Sequence, residues 1–163
     1  MLTAIRKRKS KSEGRFAIIA SEYNARYVDA MVRAAQTEFR RASARKVTVI
    51  RVPGAFEIPV VAARLARQHA AEAENGALVI VCLGVILRGE TTHASHIGEA
   101  VTQSLMQIQV RFEVPTIHEV LLLENEQQAR VRCLGRKHNR GTEAAQTALA
   151  MAAVMNSLVA ASE

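Results

Sequence analysis

Four short apolar runs divide the chain: residues 16–20 (FAIIA), 47–52 (VTVIRV), 77–84 (ALVIVCLG) and 116–123 (TIHEVLLL). The first and third show no polar alternation, which is what strands need when a sheet is covered on both faces. Between the runs, apolar positions recur at helical spacing. Val28, Met31, Val32, Ala35 and Phe39 make one face. Pro59 suits a first helical turn and is followed by Val60, Val61, Leu65 and Ala66. From His93 to about Phe112 the face is Ile97, Val101, Leu105 and Ile108. A short helix is expected from Glu126 to Cys133. A long one starts near Thr142 and continues through Leu149, Ala152, Met155 and Leu158 to about Ala160.

The order β-α-β-α-β-α-β-α-α predicts parallel pairing through right-handed crossovers. The expected architecture is a three-layer α/β/α sandwich, flavodoxin-like, on a four-stranded parallel sheet. Ligands of such folds bind beyond the carboxyl ends of the strands, so the residues after each strand are the candidates for chemistry. The 163 residues suit one domain, expected at 14–163 behind a basic tail at 1–13. Apolar residues at 49% suffice for a core, and with aromatics at only 4% that core is built from Ala, Val, Leu, Ile and Met.

The formal net charge of +7 is partly concentrated in Arg6, Lys7, Arg8, Lys9 and Lys11. Such a run reads as a solvated tail. Nucleic acid would be an alternative partner, but no stacking aromatics accompany the run, so that reading is disfavoured. The start lacks the apolar region of a signal peptide, and no stretch is long and apolar enough for a membrane span. Two lone cysteines, Cys82 and Cys133, suggest a reducing compartment, the cytoplasm.

After the first strand come Tyr23 and Asn24, either a stacking ring with its neighbour or a core-capping aromatic with a helix cap. After the second, Pro53-Gly54-Ala55-Phe56-Glu57-Ile58-Pro59 is a stiff loop. In it Gly54 is expected to supply unusual backbone freedom, while Phe56 and Glu57 offer a ring face and a carboxylate. Simple helix-start chemistry would explain them too. After the third, Gly84-Val85-Ile86-Leu87-Arg88-Gly89-Glu90-Thr91-Thr92-His93 leads into a helix whose first amides would hold an anion. His93, in its first turn, is suited to moving a proton; otherwise Thr91 or Thr92 merely caps and His93 is a surface residue. After the fourth, Arg132 would clamp a phosphate, or Arg130, Arg132 and Arg136 form a solvated face. No metal-ligand spacing, glycine-rich dinucleotide fingerprint or Walker-type loop occurs.

Taken together, YN at Tyr23, PGAFEIP from Pro53, GVILRGETTH from Gly84, ENEQQARVR from Glu124 and NRGTEAA from Asn139 resemble the lumazine synthase family over about residues 14–160. Five motifs in order, each at a strand end or helix start, make the resemblance specific. It implies an enzyme that condenses 5-amino-6-ribitylaminouracil with 3,4-dihydroxy-2-butanone 4-phosphate, with no metal or organic cofactor. It assigns ring stacking to Tyr23 beside Asn24, and the ribityl chain and ring edge to Ala55, Phe56 and Glu57. The backbone of Ile86 and Leu87 would meet the uracil, and Glu90 and Thr91 the ketose phosphate. Arg132 would bind that phosphate, His93 would transfer protons, and Arg140 would approach the ribityl chain. Glu143 would orient His93 or Arg132. His118 stands where the family commonly has an apolar or aromatic residue reaching a neighbouring subunit's site, and Tyr23 replaces the usual Phe.

The resemblance also implies a homopentamer with sites between subunits, in some members assembled into a 60-subunit shell. The short turn between Leu134 and Arg140 leans toward the shell. Two competing readings are a non-catalytic flavin or lumazine carrier, opposed by the intact Glu57, His93 and Arg132, and a nucleic-acid binder using the tail.

Overall fold

The computed structural model describes residues 13–72, 76–135 and 137–160. Arg6, Lys7, Arg8, Lys9, Lys11 and Arg136 lie outside these.

Strand β1 (Arg15–Ser21) is central and almost wholly buried, as its unbroken apolar run requires. It leads through Asn24 into α1 (Ala25–Arg41). Strand β2 (Lys46–Val52) alternates, is largely exposed and lies at one edge of the sheet. A single 3-10 turn, Ala55–Glu57, opens α2 (Ile58–Ala71), with proline in its first turn. Strand β3 is Leu78–Leu87 and α3 is His93–Phe112. Strand β4 (Thr116–Leu123) is the other edge, followed by a four-residue α4 (Glu126–Ala129) that widens into a π-wound turn, Arg130–Leu134. Helix α5 (Arg140–Ala160) is the last element among the described residues.

The sheet order is β2-β1-β3-β4, all parallel. Its two faces carry separate cores. One joins Phe16, Ile18, Val79 and Val81 to α1 and α5; the other joins Ile19, Ile80, Cys82 and Val120 to α2 and α3. This is the expected three-layer, flavodoxin-like fold. The chain runs from β1 outward to β2 and then crosses back to β3. The point where the winding reverses therefore lies between the carboxyl ends of β1 and β3, the usual ligand crevice.

The five apolar positions read for α1 are all buried. Those read for α5 and α2 are not all so. In α5 the buried residues are Ala144, Ala145, Ala148 and Ala152, while Leu158 is exposed. Small side chains are selected there because α5 lies very close to α1: a Cβ on Gly141 would fall 2.0 Å from the Met31 carbonyl oxygen. In α2 the buried face is Ile58, Ala62 and Ala66, with Val60 exposed. Strand β3 extends past Gly84 because Val85, Ile86 and Leu87 pair with Leu121, Leu122 and Leu123.

Candidate functional site

The loops after β1 and β2 are sewn together at the crevice. The amide of Glu22 donates to the Val52 carbonyl (2.8 Å) and that of Tyr23 to the Pro53 carbonyl (3.1 Å). Tyr23 is 71% exposed, with its ring edge against Gly54, and Phe56 is 61% exposed. Two aromatic faces thus border the crevice instead of filling a core. Gly54 is extended (φ −133°), so the backbone freedom expected of it is not used. Its lack of a side chain is: a Cβ there would meet Glu57 Oε2 at 2.8 Å and the Tyr23 ring at 3.1 Å. The same Glu57 oxygen accepts from the Gly54 amide (2.9 Å), which pins the carboxylate over its own turn. Ala55 is buried beneath.

Asn24 occupies the left-handed region (φ 57°), which Asn tolerates, and its side chain does not cap α1. Its Nδ2 instead donates to the Val85 carbonyl (2.7 Å), tying β1's loop to β3. The last β3 residue paired with β1 is Leu83, so residues 84–87 overhang the crevice. Strand alternation turns the backbone of Leu87 toward the same side as Val85. Ile86 turns its backbone toward β4, and its side chain packs into the α2/α3 core.

Beyond the overhang, Arg88 is an anchor. It donates to both Glu124 carboxylate oxygens (2.9 and 3.2 Å) and to Ser95 Oγ (3.0 Å), joining the ends of β3 and β4 to α3. The segment it holds, Gly89 to His93, is exposed. Thr91 Oγ1 accepts from the His93 amide (3.4 Å), and Thr92 makes no side-chain cap. Amides at a helix start suit an anion; here those of His93 and Ser95 already donate to Thr91 Oγ1 and the Thr92 carbonyl, and the His93 side chain stands beside the segment that leads in.

The remaining candidates cluster along β4. Arg132 is exposed on the π-wound turn, fastened by buried Ala129 and Cys133 on either side, and makes no hydrogen bond or ion pair among the described residues. Arg140 is gripped by two carboxylates: its Nε donates to Glu119 Oε2 (2.9 Å) and its Nη1 to Glu143 Oε2 (2.7 Å). Within the chain Glu143 therefore holds Arg140. Burial pushes the Glu119 carboxyl up to about 7 although Arg140 opposes it, and pushes the Cys133 thiol up to about 11 with Glu119's charge adding to the effect. Asn139 connects the turn to α5, donating to the Cys133 carbonyl and accepting from the Gly141 amide.

On the opposite face of β4, His118 Nε2 lies 2.8 Å from Thr102 Oγ1, whose own proton goes to the Gly98 carbonyl. Nε2 must then be the donor, and Nδ1 accepts from the Val120 amide (3.3 Å). The ring is held neutral in one tautomer, consistent with the lowering of its pKa by burial.

The structure thus brings Tyr23, Asn24, Ala55, Phe56, Glu57, Leu87 and the 89–93 segment to one rim. His118, Arg140 and Glu143 belong to a different place. Glu119 pairs with Leu83, and the last β3–β4 pair is Leu87 with Leu123, so Arg140's anchor sits about 13 Å below the rim. Strand β3 also stands between β1 and β4, about 10 Å apart across it. Sequence reasoning missed Glu119, Asn139 and Arg88. Glu119 had one visible signal, a carboxylate among apolar residues in TIHEVLLL. Among the described residues no three or more His, Cys, Asp or Glu side chains are placed to hold a metal ion, and no helix is long and apolar enough to cross a membrane.

Residues 13–156 match the family described as 6,7-dimethyl-8-ribityllumazine synthase. A protein of that name from Stenotrophomonas maltophilia (strain R551-3) is 38% identical over 152 residues, covering 92% of this chain and 94% of the relative. Proteins of the same name from Xanthomonas campestris pv. campestris (strain B100) and Xanthomonas oryzae pv. oryzae (strain PXO99A) are each 38% identical, over 88% of this chain and 91% of their own length.

Proposed function

This chain belongs to the 6,7-dimethyl-8-ribityllumazine synthase family, and on that premise we propose how its residues share the family's reaction. The enzyme condenses 5-amino-6-ribitylaminouracil with 3,4-dihydroxy-2-butanone 4-phosphate to 6,7-dimethyl-8-ribityllumazine, releasing phosphate and water, the penultimate step of riboflavin biosynthesis.

In our reading the uracil lies in the β1/β3 crevice, its ring on Tyr23 and its polar edge along the overhanging backbone at Leu87. Phe56 and Glu57 receive the ring edge and the first ribityl hydroxyls. The ketose phosphate sits at the start of α3, on amides of Glu90 and Thr91. The 5-amino group attacks the ketone and loses water to give an imine. Phosphate then leaves, and the ribityl-bearing nitrogen closes the second ring with loss of water. His93 shuttles protons among carbon, nitrogen and oxygen, a role worth about 10²–10⁴-fold. Arg132 stabilises the charge that builds on the departing phosphate. Holding two substrates in contact supplies much of the rest, and no metal or organic cofactor takes part.

One observation supports the oligomeric part of this reading: the rim residues and the β4-edge residues lie apart, on either side of β3, within one chain. We therefore assign His118, Arg132, Arg140 and Glu143 to the crevice of an adjoining copy, in a homopentamer. The short turn between Leu134 and Arg140 favours further assembly into a 60-subunit shell. We place the enzyme in the cytoplasm, supported by its two buried free thiols. Residues 14–163 form the domain and 1–13 a basic tail.

The test is a two-substrate turnover assay read by lumazine fluorescence, with light scattering on the same sample. Turnover by the wild type is expected, with His93→Ala and Arg132→Ala each slowed at least 100-fold in an unchanged assembly. Wild-type rates in both variants would sink the role assignment.

A further inference from the structure

Glu119 is the one acid buried in the sheet, 7% exposed, on the face of β4 that meets α5. A carboxylate there costs several kcal/mol in lost hydration unless it is paired. The pairing it has, to Arg140, does not remove the penalty, since its carboxyl remains pushed up to about 7. A buried ion pair that leaves its acid so strained contributes little to stability, so its presence needs another reason.

The geometry supplies one. Arg140 begins α5, its side chain is 22% exposed, and the long stem would leave the guanidinium many orientations. Glu143, three residues along the same helix, binds Nη1 (2.7 Å) but moves with α5. Glu119 binds Nε (2.9 Å) from the sheet. With one anchor on the helix and one on β4, the guanidinium plane is fixed relative to the strands. Nη2 keeps both its protons, with no partner among the described residues.

We infer that Glu119 is a positioning residue for the condensation: from β4 it clamps Arg140 so that the guanidinium's unbonded edge is presented to the ribityl hydroxyls of the uracil substrate. This rests on the reading above in which Arg140 serves the ribityl chain. Glu119 itself touches neither substrate, so its removal should weaken uracil capture and leave the chemical step alone. A methylene less at this position, as in aspartate, would fall short of Nε. A glutamine keeps an oxygen that can accept from it.

The experiment is steady-state kinetics on the full-length protein, varying each substrate in turn, for Glu119→Ala, Glu119→Asp, Glu119→Gln, Arg140→Ala and the Glu119→Ala/Arg140→Ala double variant. Glu119→Ala and Glu119→Asp are expected to raise KM for the uracil about tenfold, with kcat and KM for the ketose phosphate within twofold of wild type. Glu119→Gln should recover most of the loss, and the double variant should be no worse than Arg140→Ala. If Arg140→Ala raises KM while the Glu119 variants do not, or if Glu119→Gln is as impaired as Glu119→Asp, the inference is overturned and the role of Arg140 stands. If Arg140→Ala leaves KM unchanged, the ribityl reading fails and takes the inference with it. Should Glu119→Ala not fold, the Asp and Gln comparison decides alone.

Discussion

Replacing Gly141 by alanine pits two effects of opposite sign. Alanine favours a helix over glycine by about 1 kcal/mol. Against that, the new Cβ would lie 2.0 Å from the Met31 carbonyl oxygen and 2.6 Å from its carbonyl carbon and Cα. Ordinary contact is about 3.5 Å, so α5 or α1 must move by more than about 1 Å. The obstacle is backbone in a buried helix, which no rotamer change relieves. Overpacking of this kind costs about 1–3 kcal/mol or somewhat more, and the neighbouring hydrogen bonds of Asn139 to the Cys133 carbonyl and the Gly141 amide would strain with it. A net loss of about 2 kcal/mol is expected, lowering Tm by roughly 6 °C for a chain of this size. Urea unfolding followed by circular dichroism, at one protein concentration for both proteins, should show a lower midpoint with an unchanged slope. The reasoning is refuted if Gly141→Ala unfolds at or above the wild-type midpoint. Gly54→Ala is the control: its obstacles are the Glu57 carboxylate and the Tyr23 ring, side chains that can turn away at the cost of the Gly54–Glu57 hydrogen bond, so stability should fall by only about 1 kcal/mol.

Three other outcomes follow from the same geometry. Arg132→Ala should lower kcat/KM by about 10²–10³ while leaving the unfolding midpoint within experimental scatter, because Arg132 is exposed and makes no side-chain hydrogen bond or ion pair among the described residues. Tyr23→Phe should retain turnover and Tyr23→Ala should raise KM for the uracil about tenfold, the worth of one aromatic stack; equal losses in both would place the effect in the hydroxyl instead. Glu119 ties stability to pH. Its carboxyl titrates near 7 in the folded chain against an ordinary 4.5, so the stabilisation from its protonated form is full below 4.5 and lost as pH rises through 7. Glu119→Gln mimics that form, and should exceed the wild type by up to about 3 kcal/mol at pH 8, with the advantage shrinking toward pH 5. A constant difference across that range would show that Glu119 does not titrate there.

The architecture was legible because periodicity reports burial directly: the unbroken run at 77–84 suits a strand covered on both sides, and the α1 stripe a helix facing a core. Boundaries were less legible where the pattern did not change. Val85, Ile86 and Leu87 are as apolar as what precedes them, and only their partners on β4 make them strand. The face of α5 was misread because alanine carries a weak hydrophobic signal, whereas close approach to α1 selects it. Candidate residues that are neighbours in sequence, such as Tyr23 with Asn24 or Phe56 with Glu57, were visible as loop motifs. Glu119 showed only as a lone carboxylate in an apolar run, since its partner Arg140 is remote in sequence. Gly54 was singled out for the wrong property: the sequence marks a glycine but cannot say whether torsion or crowding demands it.

The overhang of β3 also limits how this crevice can be retuned. With the uracil placed as proposed, the groups offered to it there are the peptide units of the strand, with the Val85 carbonyl already spoken for by Asn24. Every amino acid other than proline brings the same amide and carbonyl, so swapping residues at 85–87 can reshape the wall but cannot exchange a donor for an acceptor. A ligand with the opposite polarity along its edge would be admitted only by a frame shift of the strand, through an insertion or deletion, or by freeing the Val85 carbonyl through loss of Asn24.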